Sequence, residues 1–178
     1  MTPLFDPDTY RRALEFAAKA HLAQRVPGTE LPYVVHVTAV CAEVLAALSV
    51  ERWEQGERSV VCALLHDTIE DTDRTWSDVA SAFGDAVADG VAALSKNPAL
   101  PKPAAMADSL ERIRYQPRAV WCVKLADRIV NLADPPHYWT PEKIAAYRAE
   151  AVTIADALGD ASPALHARLR AKIEAYGR

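Results

Sequence analysis

The stretch Cys62-Ala63-Leu64-Leu65-His66-Asp67-Thr68-Ile69-Glu70-Asp71-Thr72 runs from an apolar segment directly into a cluster of ionisable side chains. Such groups are expensive to bury unless a partner or an ion compensates them. On a continuous helix His66 and Glu70 share one face, as do Asp67 and Asp71, while adjacent His66 and Asp67 diverge by about 100°. One helix end then offers two metal ligands, His66 and Asp67, and two further carboxylates. A second polar stripe lies in Lys124-Leu125-Ala126-Asp127-Arg128-Ile129-Val130-Asn131-Leu132, where Asn131 follows Asp127 by one helical turn and Lys124 precedes it. His36, after Pro32-Tyr33-Val34-Val35, supplies the remaining nitrogen. Two imidazoles and two carboxylates suit a six-coordinate divalent ion such as Mn²⁺ or Fe²⁺, with positions left for water and a phosphate oxygen. A structural zinc would draw more on cysteine. The candidate ligands are therefore His36, His66, Asp67 and Asp127, and Glu70 and Asp71 are placed to orient or deprotonate a water molecule.

Three helices must converge to bring these residues together, and helix signals recur along the whole chain. No stretch alternates apolar and polar residues long enough to predict a strand, so the fold is expected to be all-α, a helical bundle with the metal between converging helices. Asp6-Pro7, Thr140-Pro141 and Ser162-Pro163 each set a capping side chain before a proline suited to the first helical position. The pattern predicts helices at 8–24, 36–48, 57–71, 77–83, 86–95, 104–115, 118–133, 141–158 and 163–176. Prolines and a glycine mark a loop at 25–32, and a second loop runs from Asn97 to Pro103. Both are expected to border the site.

The 178 residues suffice for one helical core, so a single domain over 1–178 is expected. A formal net charge of −4 argues against nucleic acid or an anionic membrane as partner, while leaving room for a local cationic pocket for a small phosphate ligand. The N-terminus lacks the pattern of a secretory signal and no apolar run reaches membrane length, which predicts a cytoplasmic protein. Cys41, Cys62 and Cys122 are isolated in apolar surroundings and are expected to be buried, unpaired thiols. His21 and His166 have no motif partners and are expected in the core as packing residues. Lys124 and Arg128 are open to three roles: a solvated face of an amphipathic helix, pairing with the carboxylates, or binding phosphate.

His66-Asp67-Thr68-Ile69-Glu70-Asp71-Thr72 resembles the HDxxEDT motif of the (p)ppGpp hydrolases, within the HD superfamily of metal-dependent phosphohydrolases. Pro32-Tyr33-Val34-Val35-His36 resembles their PYxxH, and the stretch from Lys124 to Leu132 their KxADRxxNL. The resemblance spans roughly residues 10–160 with the motifs in order. It implies an all-α fold and Mn²⁺ at the four ligands; the ligand set itself leaves Fe²⁺, Zn²⁺ and Co²⁺ open as alternatives. It also implies release of pyrophosphate from the ribose 3′ position of a nucleotide, with Glu70 and Asp71 catalytic. By the same matching Asn131 contacts the ribose, Tyr33 walls the pocket and Arg25 packs against the base, while Lys124 is a candidate substrate-binding residue by its charge alone. Relatives usually carry an adjacent Arg-Lys pair before PYxxH, whereas this chain has Arg25 followed by Val26-Pro27. The synthetase and regulatory domains of the long enzymes are not expected. Two other functions stay open: an HD-type 5′-nucleotidase or other nucleotide phosphatase, and a non-catalytic nucleotide-sensing module.

Overall fold

Proline and glycine punctuation divides the chain into short helices, and the computed structural model, which describes residues 4–177, is helical throughout. In chain order these are α1 (Pro7–Ala20), α2 (Val34–Val50), α3 (Gly56–Leu65), α4 (Thr68–Asp71), α5 (Trp76–Phe83), α6 (Asp85–Leu94), α7 (Lys102–Arg114), α8 (Arg118–Asn131), α9 (Pro141–Leu158) and α10 (Pro163–Ala175). A 3₁₀ turn, Gly159–Ala161, joins the last two. No strand forms among the described residues, which bears out the all-α expectation. The three proline-associated caps form as expected. Asp6 accepts from the N–H groups of Asp8 and Thr9, Thr140 from Lys143, and Ser162 from Leu165. Each such cap is worth about 1 kcal/mol.

Burial follows the residue pattern. On α2 the buried positions are His36, Val37, Val40, Cys41, Val44, Ala47 and Leu48, an inward stripe at helical spacing. α3 is buried from Ser59 to Leu65 on all sides, and α8 is buried at nearly every position from Ala119 to Ile129. These two form the centre, with α8 packed on α2, α3, α9 and α10. Cys41, Cys62 and Cys122 are buried and free, as expected, and burial pushes each thiol up to about 12. No helix among the described residues is long and apolar enough to cross a membrane.

The helix expected over 57–71 is interrupted at His66-Asp67, leaving α3 and the single turn α4. The cause is local. His66 Nδ1 lies 2.9 Å from the Ala63 carbonyl and Thr68 Oγ1 donates to the Leu65 carbonyl at 2.6 Å, so side chains take acceptors that helical N–H groups would use. A helical turn resumes with Asp71 N–H on the Asp67 carbonyl at 2.9 Å. α1 also stops earlier than expected, at Ala20, and a tight loop follows. Tyr33 N–H bonds the Gln24 carbonyl at 3.1 Å, Val26 N–H bonds that of Leu31 at 2.9 Å, and Arg25 and Pro32 form an isolated antiparallel bridge. Gly28 turns this loop at φ +79° against Pro136, where a Cβ would stand 3.2 Å from the proline Cβ.

Candidate metal centre

The first turn of α2, the α3–α4 break and the last two turns of α8 meet at one buried point. His36 and His66 are 5% and 2% exposed, and their Nε2 atoms stand 3.3 Å apart. Asp67 Oδ2 is 3.6 Å from His36 Nε2 and 3.0 Å from His66 Nε2, and Asp127 Oδ1 is 3.5 Å from both. The helix break creates this geometry, because it turns Asp67 toward the same point as the preceding histidine.

The donors suit a cation. With Nδ1 donating to the Ala63 carbonyl, a neutral His66 presents the bare lone pair of Nε2 to the cluster. Donor atoms bound at about 2.1 Å to one ion stand roughly 3.0–3.4 Å apart for angles between square and tetrahedral. The separations from His66 Nε2 to Asp67 and His36 fall in that range. His36, His66 and Asp67 thus form a group able to hold a metal ion.

Neighbouring side chains hold the two carboxylates. Tyr33 OH donates to Asp67 Oδ2 at 2.5 Å, Asn131 Nδ2 to Asp127 Oδ1 at 2.5 Å, and Lys124 Nζ to Asp127 Oδ2 at 3.2 Å. Burial pushes the Asp127 carboxyl upward, but Lys124 and the imidazoles outweigh it and hold the group well below the usual carboxylate range. Asp67 is lowered in the same way, burial being overcome by His66 and His36. The imidazoles respond oppositely. Burial disfavours their charge, yet the two aspartates raise His36 and raise His66 well above the ordinary value.

The acid pair splits into two environments. Glu70 has both oxygens engaged, accepting the backbone N–H of Lys96 at 2.7 Å and its ammonium at 3.2 Å. Asp71 stands at the exposed rim, where one oxygen accepts from Gln24 Nε2 at 3.1 Å. Partial burial and the negative charge of Asp67 raise its carboxyl above the usual value, and Gln24 opposes the shift.

Of the residues expected to touch substrate, Tyr33, Lys124 and Asn131 contact the site carboxylates, and Arg25 is exposed, with Nη1 3.3 Å from the Gln24 carbonyl. Arg128 pairs with Glu150 on α9 and stacks on Tyr147 at 4.2 Å. Three residues of the site, Lys96, Gln24 and His21, have site contacts that sequence reasoning does not give. Lys96 lies just before the loop expected to border the site, but nothing in its neighbours marks Glu70 as its partner. His21 is buried as expected, but its Nδ1 also meets Gln24 Oε1 at 2.6 Å, a link to the site that the sequence does not mark, and nothing in the sequence singles out Gln24 itself.

Comparison with known proteins gives the family of the chain. The family model described as HD domain matches residues 13–160. Guanosine-3′,5′-bis(diphosphate) 3′-pyrophosphohydrolase MESH1 of Danio rerio is 31% identical over 162 residues, covering 88% of each chain. The MESH1 enzyme of Drosophila melanogaster is 32% identical over 165 residues, covering 90% of each. A solved structure described as a metazoan ortholog of SpoT that hydrolyses ppGpp superposes with a TM-score of 0.82 at 28% identity, covering 96% of both chains. The motifs around His36, His66 and Asp127 pointed to this family, and the chain belongs to it: an HD-domain protein, a metal-dependent phosphohydrolase homologous to the MESH1 enzymes.

Proposed function

We propose that the chain removes the 3′-pyrophosphate of (p)ppGpp, adding water to give GDP or GTP and pyrophosphate, with a divalent ion, Mn²⁺ first, held by His36, His66, Asp67 and Asp127. The observation that carries this reading is the acid pair: Glu70 and Asp71 stand beside the donor cluster in a chain that aligns over nearly its whole length with enzymes of that activity. A bound ion would neutralise charge on the phosphoryl oxygens and acidify water.

The chain's own residues divide the remaining work. Asp71, with a raised carboxyl and one oxygen outside the Gln24 bond, accepts the proton of the attacking water. Glu70 is held by Lys96 and sets the charge beside it, while the Lys96 ammonium adds positive charge at the edge of the phosphate site. Tyr33, Lys124 and Asn131 keep the ligand carboxylates in place.

Product identity tests the proposal. Protein loaded with Mn²⁺ and given ppGpp is expected to yield GDP and pyrophosphate in equal amounts. Orthophosphate from 5′ monophosphates, with ppGpp untouched at every metal tried, would replace it with a nucleotidase. The exposed Arg25, without the adjacent lysine that relatives usually carry, is the feature that keeps that second reading in view.

A further inference from the structure

Asp71 is the end of a hydrogen-bond chain that begins in the core. An ionised carboxylate can only accept, so Gln24 must present its amide N–H to Asp71 Oδ2, 3.1 Å away. The other end of that amide, Oε1, then faces His21 Nδ1 at 2.6 Å, and Nδ1 must carry the hydrogen. The His21 ring is 3% exposed, and its Nε2 has no partner among the described residues. It also lies 4.8 Å from the ring of Tyr33, whose hydroxyl holds Asp67.

We propose that His21 and Gln24 are positioning residues for the hydrolysis: the Nδ1–H of His21 fixes which way the Gln24 amide faces, and that amide fixes the Asp71 carboxylate. The proposal rests on the reading of Asp71 as proton acceptor. Without a donor at His21 the Gln24 amide is free to turn its oxygen toward Asp71, which repels the carboxylate instead of holding it. The unpartnered Nε2 argues in the same direction. A phenyl ring would fill this buried space with no polar atom to leave unsatisfied, so packing alone does not account for an imidazole here. The competing explanation is that the His21–Gln24 bond merely closes the turn after α1, where Gln24 N–H also bonds the His21 carbonyl at 3.0 Å. Turn closure predicts effects on stability and none specific to turnover.

Two substitutions at His21 separate these roles. His21→Phe keeps a ring against Tyr33 but has no donor, whereas His21→Asn places an amide N–H near the position of Nδ1 and gives up the ring. Metal-loaded full-length variants would be assayed for pyrophosphate release from ppGpp, with melting temperature measured alongside. Misplacement of a reacting group by about 1 Å can lower a rate 10²-fold. His21→Phe is therefore expected to lower kcat about ten- to a hundredfold with KM unchanged. His21→Asn is expected to recover most of that loss despite a lower melting temperature. Parental kcat in His21→Phe, or activity that follows melting temperature so that Phe outperforms Asn, would overturn the proposal.

A second measurement does not depend on the substrate. In ¹⁵N spectra of the parent with a diamagnetic ion, His21 is expected to carry its proton on Nδ1, and the Gln24 side-chain amide is expected to lose exchange protection in His21→Phe. A proton on Nε2, or Gln24 protection that is the same in both, would overturn the relay. If the parent does not release pyrophosphate, the functional reading fails, and these spectra still decide the hydrogen-bond chain.

Discussion

Glu70 and Asp71 are adjacent acids whose surroundings give them different capacities. With both oxygens of Glu70 bound to Lys96, proton exchange there must first break an ion pair, whereas Asp71 is anchored through one oxygen. Asp71→Asn is therefore expected to lower kcat by about 10²–10⁴-fold with metal content unchanged. Glu70→Gln is expected to be the milder variant, and the reverse order in a steady-state assay would exchange the two roles. The proposed ligands make a separate prediction about pH. Without the ion, His36 and His66 have raised values, so their contribution to stability is complete below the ordinary imidazole pKa near 6.5 and is lost as pH rises through the raised values. Asp67 and Asp127 are lowered, so theirs is present above the ordinary carboxylate value and is lost as pH falls through the lowered ones. Metal must displace the imidazole protons, so its affinity should climb as pH rises from about 6.5. Calorimetry in buffers of differing ionisation enthalpy should show proton release on binding, and none at pH 6.5 would contradict this titration order.

At the scale of elements, the end of α6 leads to Lys96, and its placement depends on a close crossing. Gly90 lies where an added Cβ would meet Cys62 Sγ of α3 at 3.0 Å and Val120 Cγ2 of α8 at 3.1 Å. Gly90→Ala gains about 1 kcal/mol in helix propensity but forces apart neighbours that are both fully buried, which typically costs about 1–3 kcal/mol. A net loss of about 1 kcal/mol is expected, read as a lower urea midpoint, and a raised midpoint would show that α6 has room to shift. The element pattern was largely legible because caps and apolar spacing are local properties: Asp6, Thr140 and Ser162 announce their helices within a few residues. The break at His66-Asp67 was not legible, since the apolar run continues into it and side-chain bonds to Ala63 and Leu65 carbonyls end the helix. The same limit hid the roles of Lys96, Gln24 and His21. Their links run through Glu70 and Asp71, and only the packing of α4 against α6 and the loop after α1 brings those pairs together.

Across the whole molecule, the proposed ligands come from distant parts of the chain, and an ion bound there would join α2, the α3–α4 break and α8. An ion at a thousand times its dissociation constant adds about 4.1 kcal/mol to the folded state. For a chain of this size that corresponds to about 8–16 °C in melting temperature, which chelation should remove in the parent but not in Asp127→Ala. An unchanged melting temperature on chelation of the parent would place the ion elsewhere or deny it a structural role. The buried cysteines allow the same event to be followed helix by helix. Cys41 shares α2 with His36, Cys62 stands on α3 one turn before His66, and Cys122 shares α8 with Asp127. Burial keeps these thiols protonated and out of reach, so an alkylating reagent reacts only when the surrounding helix opens. Each segment that delivers a proposed ligand thus carries its own chemical clock, and the rates at the three sulfurs, with and without the ion, time the opening of each helix.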